Sequence, residues 1–270
     1  MDTALTGTRG SARPGARALI GHTGLVGSNL VVQQDFDALY NSSTIGGIDG
    51  RHFTDVVCAG VSAVKWWANQ NPAEDLARIA ALITHLDTIT ADNFTLISTV
   101  DVYGSPIGVS EADQPVLEGL HAYGANRAML ERWVSERFAD HQIVRLPALF
   151  GAGLKKNAIY DLMHDNRLQV INGASVFQWY PLDRLTGDLE IARTRNLGVV
   201  NLGTEPLSME DIRARFFPHR EIGAEAAAQA RYDMRTIHDA EFGGTDGYIL
   251  DRAGVLAALG RFIDAESSSP

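Results

Sequence analysis

The chain has 270 residues, 45% of them hydrophobic, and a formal net charge of −10 from 23 Lys and Arg against 33 Asp and Glu. That is enough apolar material for one large α/β domain with an appended lobe, or for two modest domains, and it excludes gross disorder. An acidic chain without a basic stripe argues against nucleic acid or an anionic membrane as partner. No apolar run approaches the roughly 18 residues of a membrane helix, and the single cysteine, Cys58, allows neither an internal disulfide nor a cysteine-rich metal site.

Residues 1–15, small, polar and without the apolar centre of a secretory signal, read as a disordered leader, and a reducing cytoplasm fits the cysteine count. Residues 16–30, ARALIGHTGLVGSNL, then read as a strand over Ala18–Ile20, a turn with Gly21, Gly24 and Gly27 at three-residue spacing, and a helix. Glycines there let backbone approach a pyrophosphate, with the first-turn amides of the helix aimed at its charge. The spacing alone is a weak signal, because any tight strand-to-helix turn carries glycines. Phe36–Tyr40 reads as a second strand ending at Asn41-Ser42-Ser43, without the acid that commonly holds adenine-ribose hydroxyls. These small polar residues suit a 2′-phosphate, but no Arg stands beside them, so the choice between NAD and NADP stays open with a lean to NADP.

A β-branched strand from Asp55 ends in the small residues Ala59 and Gly60, which leave room over a sheet edge. Trp66 and Trp67 follow; on a helix they point about 100° apart, one toward the core and the other toward a pocket. A helix opens near Pro72 with an apolar stripe through Leu76, Ile79, Leu82, Ile83 and Leu86. Strand Phe94–Ser98 runs into TVDVYGS, and a helix from Tyr123 places Tyr123 and Arg127 on one face. QIVRLPALFG reads as a strand, KKNAIYDLMHDN as a helix, RLQVING as strand-like, GVVNLG as a strand and LSMEDIRARFF as a helix. The alternation predicts an α/β fold with a Rossmann-like, doubly wound parallel sheet over 16–150. A small carboxyl-terminal substrate lobe over 151–264 interleaves with the last strands, and 265–270 form a loose tail.

The order of GHTGLVG, STVDVYG, YGANR, RLPALFG, FQWYPLDRL and NLGTEPLSMEDI resembles the extended short-chain dehydrogenase/reductase family, of the NAD-dependent epimerase/dehydratase type, over residues 16 to about 215. The resemblance implies an enzyme acting on a nucleotide-activated sugar or related polyol. It implies Tyr123 as the proton-transferring phenol, Thr99 as the group that orients the substrate hydroxyl, and Asp101 as an acid or base where dehydratases of the family commonly carry Glu. The family's Lys four residues after the tyrosine is Arg127 here. A phenol of pKa near 10 needs such a cation to act as a base near neutrality, and Arg brings a different geometry. Arg127 therefore either serves with altered geometry or marks weakened redox activity; the bland alternative pairs it with Glu131 at the helix surface.

The cofactor contacts implied are Gly21, Thr23, Gly24, Leu25, Val26, Gly27, Asn41, Ser42, Ser43, Ala59, Gly60, Tyr123, Arg127 and Leu146. The substrate contacts implied are Trp66, Asp101, Lys155, Asn157, Gln178 and Tyr180. Gln178 stands where a family arginine commonly precedes the aromatic residue, which weakens the case for a substrate diphosphate. No metal site is expected, since no two of the eight histidines stand at ligand spacing. A homodimer is expected from the resemblance alone. The alternatives are a simple NADPH-dependent carbonyl reductase, with Asp101 structural, and a catalytically degenerate cofactor-binding subunit.

Overall fold

The computed structural model describes residues 15–268, so residues 1–14 of the expected leader and 269–270 of the tail lie outside the described residues. Six strands form a parallel sheet: β1 (Arg17–Ile20), β2 (Ala38–Tyr40), β3 (His52–Cys58), β4 (Thr90–Thr99), β5 (His141–Leu146) and β9 (Val199–Asn201). Their spatial order is β2-β1-β3-β4-β5-β9. The chain leaves β1 in one direction to β2 and returns on its other side as β3. The carboxyl ends of β1 and β3 thus flank the point where strand order reverses, which is where open α/β sheets bind ligands.

Helices cover both faces, as the buried, β-branched strands require. On one face lie α2 (Lys65–Gln70), α3 (Pro72–Leu86) and α4 (Ala122–Arg137). Ile79 and Leu86 of α3 and Leu130 and Val134 of α4 pack there against Val56, Phe94 and Ile143. On the other face lie α1 (Leu25–Gln33) and α6 (Leu185–Thr194), where Leu30, Leu185 and Leu189 meet Leu19, Val57 and Val144.

Between β5 and the end of the chain the lobe is built from β6 (Ala148–Phe150), α5 (Ala158–His164), β7 (Val176–Phe177), β8 (Trp179–Pro181), β10 (Leu207–Ser208), α7 (Met209–Phe216) and α8 (Arg252–Ser267). Its strands make two separate pairs, β6 with β8 in parallel and β7 with β10 antiparallel. A core of its own, centred on Phe150, Ile159, Leu162, Trp179, Met209, Ile212 and Leu259, lies beneath them.

Three readings of the sequence change. The expected strand over 142–151 is divided at Pro147, which has no amide to give to the ladder. The strand-like stretch 167–173 is a 3₁₀ turn over Leu168–Val170, entered through Arg167 at φ 49°. The mixed region after 217 ends in a 16-residue helix, α8, capped by Asp251 and running through 265–267, which the sequence places in the tail.

Candidate active site

The glycine turn sits at the reversal of strand order, and its glycines have distinct reasons to be there. Gly21 holds φ +88°, and a Cβ on it would stand 2.3 Å from the carbonyl oxygen of Ala59 at the end of β3. A Cβ on Gly27 would stand 2.1 Å from the Gly21 carbonyl oxygen. Strand and helix therefore touch through bare backbone. Gly24 is the N-cap of α1; no side chain caps the helix and no acid stands in its first turn. The leading amides stay available to an anion. Leu25 and Val26 occupy that first turn, and Thr23, exposed, precedes it.

At the tip of β2, Asn41 Oδ1 accepts from the amide and hydroxyl of Ser43 (2.9 and 2.7 Å) and from the amide and hydroxyl of Thr44 (both 3.2 Å). The Asn41 amide nitrogen thereby faces His22 Nε2 at 3.5 Å. Ser42 and Ser43 are exposed beside it. Ala59 and Gly60 line the opposite side of the turn, and Leu146 closes the end of β5, buried.

Thr99, the last residue of β4, and Asp101 are linked by a bond from the Asp101 amide to Thr99 Oγ1 at 3.2 Å. Tyr123 enters from the first turn of α4, which His121 caps by accepting the Gly124 amide on Nδ1 at 3.0 Å. Gly124 is what lets this helix approach. A Cβ there would lie 2.0 Å from the Asp101 carbonyl oxygen, so backbone packs on backbone where Asp101 and Tyr123 come together. Burial pushes the Tyr123 phenol above its ordinary value; the charge of Arg127, a bond with Thr99 and the charge of Lys65 pull it down without cancelling the rise.

Arg127 does not meet Glu131. Its guanidinium lies 3.7 Å from the Tyr123 ring centroid and forks onto Asp75 of α3 at 2.7 and 3.1 Å. It also donates to the Tyr123 carbonyl at 2.9 Å and the Ser62 carbonyl at 2.5 Å. Glu131 is taken by Arg145 of β5, at 2.7 Å in a second buried pair. The other tyrosine of the signature, Tyr103, is also committed: its hydroxyl donates to the Ser110 carbonyl at 2.7 Å and accepts from Arg145 at 2.6 Å.

The sequence reading missed the groups around Asp101. Lys65 Nζ donates to Asp101 Oδ1 at 2.7 Å and to the Tyr232 hydroxyl at 3.2 Å, while that hydroxyl donates to the same Oδ1 at 3.2 Å. His121 Nε2 lies 4.0 Å from it. Burial pulls the Lys65 ammonium down, but the charge and bond of Asp101, with Tyr232, outweigh it and hold it above its ordinary range. Burial and the Lys65 charge, in contrast, hold His121 below the usual imidazole value. Lys65 had a signal of sorts, as the one charge in the segment that leaves the carboxyl end of β3 toward Pro72. Tyr232, 131 positions from Asp101, had none.

The remaining expected substrate contacts are scattered. Trp66 is 64% exposed, and Trp67, against whose ring Arg78 stacks at 4.2 Å, is half-buried, so neither is a core residue. Lys155 is exposed, and Asn157, at φ 128°, caps α5. Gln178 is buried with its amide nitrogen on the carbonyls of Thr204 and Met234 and its oxygen on the Met234 amide. Tyr180 is buried and donates to Asp188 at 2.7 Å. The polar atoms of Gln178 and Tyr180 are thus spent inside the protein.

The sheet order, the glycine turn at its reversal and the position of α4 can be set beside solved structures. An epimerase from Methanothermobacter thermautotrophicus superposes with a TM-score of 0.71, at 14% identity over 94% of this chain and 93% of that one. The chain has the fold of the extended short-chain dehydrogenases/reductases. The NAD-dependent NDP-hexosamine 5,6-dehydratase TunA, involved in tunicamycin biosynthesis, gives a TM-score of 0.70 at 16% identity, covering 94% and 98% of the two chains. The dTDP-4-dehydrorhamnose reductase of Bacillus anthracis, in complex with NADP, gives 0.69 at 14% identity over 94% and 100%. No protein-family model matches the sequence, and no curated protein does. Among the described residues no helix is long and apolar enough to cross a membrane.

Proposed function

We propose that the chain is an NAD(P)-dependent enzyme of the epimerase/dehydratase type, acting on a nucleotide-activated sugar or a related polyol. One observation carries the reading: Thr99, Asp101 and Tyr123 converge at the carboxyl edge of a sheet whose bare-backbone glycine turn fits a dinucleotide. The fit is physical, since the Gly21–Ala59 and Gly27–Gly21 approaches leave no space for side chains, and the α1 amides meet no cap or acid. Gly21, Gly24, Gly27 and the first turn of α1 hold the pyrophosphate. Asn41, Ser42 and Ser43, with no carboxylate among them, favour a 2′-phosphate and hence NADP.

The nicotinamide supplies a hydride acceptor and donor when bound. Thr99 orients the substrate hydroxyl and Tyr123 takes its proton. The Arg127 guanidinium stabilises the phenolate from the ring face, its N–H groups already committed to Asp75, Ser62 and the Tyr123 carbonyl. Because the Tyr123 phenol titrates above its ordinary value of 10.0, its base form grows with pH throughout the neutral and alkaline range. Oxidation of the substrate should therefore still be accelerating as the pH approaches that value.

The apolar groove between α3 and α4, lined by Leu76, Ile79, Ile83, Met129 and Trp133, supports the homodimer as part of the same proposal. A second reading, a subunit that binds cofactor without turning over, is favoured by the same commitment of Arg127, which leaves the guanidinium occupied. The test is to measure NADPH and NADH binding by fluorescence, then hydride exchange with UDP-, dTDP- and GDP-linked hexoses. Binding with exchange supports the enzyme; binding without exchange to any sugar supports the second reading; no binding contradicts both.

A further inference from the structure

Asp101 is held in an unusual way for a residue at a turn. Lys65 from α2 and Tyr232 from the segment 230–236 both bond one carboxylate oxygen, Oδ1, and His121 approaches that same oxygen. Among the described residues nothing donates to Oδ2. The Asp101 side chain is 15% exposed and its carbonyl packs on the helix that carries Tyr123.

The two partners are themselves fixed. Tyr232 stacks on Phe177 at 5.6 Å, and its amide donates to the Val176 carbonyl at 3.0 Å. The adjoining Asp233 amide donates to the Pro106 carbonyl at 2.7 Å, and the Gly108 amide returns a 2.7 Å bond to the Asp233 carbonyl. Lys65 opens α2, whose Asn69 accepts the Tyr123 amide at 2.9 Å, so the segment carrying Lys65 also registers the catalytic helix. Three distant stretches of chain thus meet at one carboxylate oxygen, close to the helix that carries the phenol, while the other oxygen is left without a donor among the described residues.

We propose that Lys65 and Tyr232 are positioning residues that make Asp101 the second proton-transfer group of this site, holding Oδ1 and leaving Oδ2 to exchange a proton with the substrate. The proposal rests on the enzymatic reading above and narrows it to reactions that break a C–H bond next to a carbonyl, elimination or epimerisation, rather than a single hydride transfer. The Lys65 ammonium, 2.7 Å from Oδ1, fixes that oxygen and so sets which way Oδ2 faces.

Once the sugar hydroxyl carbon has been oxidised to a ketone by hydride loss to the nicotinamide, the neighbouring C–H is acidic. Asp101 Oδ2 takes that proton, the C–H electron pair becomes the enolate double bond, and the carbonyl pair moves to oxygen, where the protonated Tyr123 donates a hydrogen bond. The proton returns to carbon in exchange or epimerisation. In elimination it leaves with the departing hydroxide as water.

The experiment incubates the full chain in D₂O with NAD⁺ or NADP⁺ and, separately, UDP-glucose, dTDP-glucose and GDP-mannose. Nuclear magnetic resonance reads the deuterium incorporated at ring carbons per hydride transferred. Wild type should incorporate deuterium. In Lys65→Met the ratio should fall roughly a hundredfold, the scale of a lost acid–base group, and Lys65→Arg should restore most of it. Tyr232→Phe should lower it severalfold. A purely structural Lys65 would depress hydride transfer and deuterium together and leave the ratio unchanged in Lys65→Met, which would overturn the proposal, as would hydride transfer by wild type without any deuterium. Absence of hydride transfer to all three sugars with both cofactors overturns the enzymatic reading, and this proposal with it.

Discussion

Arg127 is tied into the protein from several sides at once. Its planar fork reaches Asp75 across the helix pair, and both groups are almost fully buried, with side chains 5% and 3% exposed. Burial pushes the Asp75 carboxyl up, but the bonds from Arg127 and Asn126 and the Arg127 charge together bring it below its ordinary value of 3.8. A carboxyl lowered on folding adds stability above that ordinary value and loses it as pH falls through the folded one. The advantage of wild type over Asp75→Asn in denaturant unfolding should thus be full at pH 7 and shrink below pH 3.8. Arg127→Met strands the Asp75 charge and should cost about 3–5 kcal/mol, whereas Arg127→Lys keeps the charge and loses the fork, with a smaller loss. That Tyr123 and Arg127 meet was legible because residues four apart lie on one helix face, and the guanidinium does stand 3.7 Å from the ring centroid. Asp75 and Lys65 were not legible, since their meaning depends on which helices meet.

Among the elements, the strand–turn–helix units carried the clearest signals, because apolar runs, glycine turns and proline starts all act over a few residues. Their contacts are set by missing side chains. Gly27→Ala drives a methyl into the Gly21 carbonyl, 2.1 Å from its ideal Cβ position, so α1 must lift from β1. Overpacking of this kind costs about 1–3 kcal/mol, and the expected outcome is a lower melting temperature together with weaker NADPH binding, read by thermal denaturation and fluorescence titration. A drop in stability with unchanged cofactor affinity would separate the turn from the cofactor. The short lobe strands were poorly legible for the opposite reason. β7 and β10 contribute two residues each and exist only because distant partners pair them. The 16-residue α8 escaped notice because its polar and apolar residues make only a weak stripe.

Across the whole molecule, the sheet and its order follow from the alternation of strands and helices, while the covering of the site follows from one long return of the chain. Glu111 ties that return to the sheet: it accepts from the Asn201 amide and the Thr236 hydroxyl, both at 2.6 Å, and from the Ile237 amide at 2.9 Å. Glu111→Gln should loosen 230–237 and carry Tyr232 with it, raising hydrogen exchange there while β1 and β3 keep their protection. No local pattern announces such a tie, because its ends lie 125 residues apart. The central claim is that this fold assembles a dinucleotide cradle and a tyrosine base into one working site. The most direct measurement compares wild type with Tyr123→Phe for NADPH affinity and for hydride exchange with UDP-, dTDP- and GDP-linked hexoses. The variant should bind NADPH as wild type does and lose exchange by at least about a hundredfold; full exchange in the variant would contradict a tyrosine base at this position.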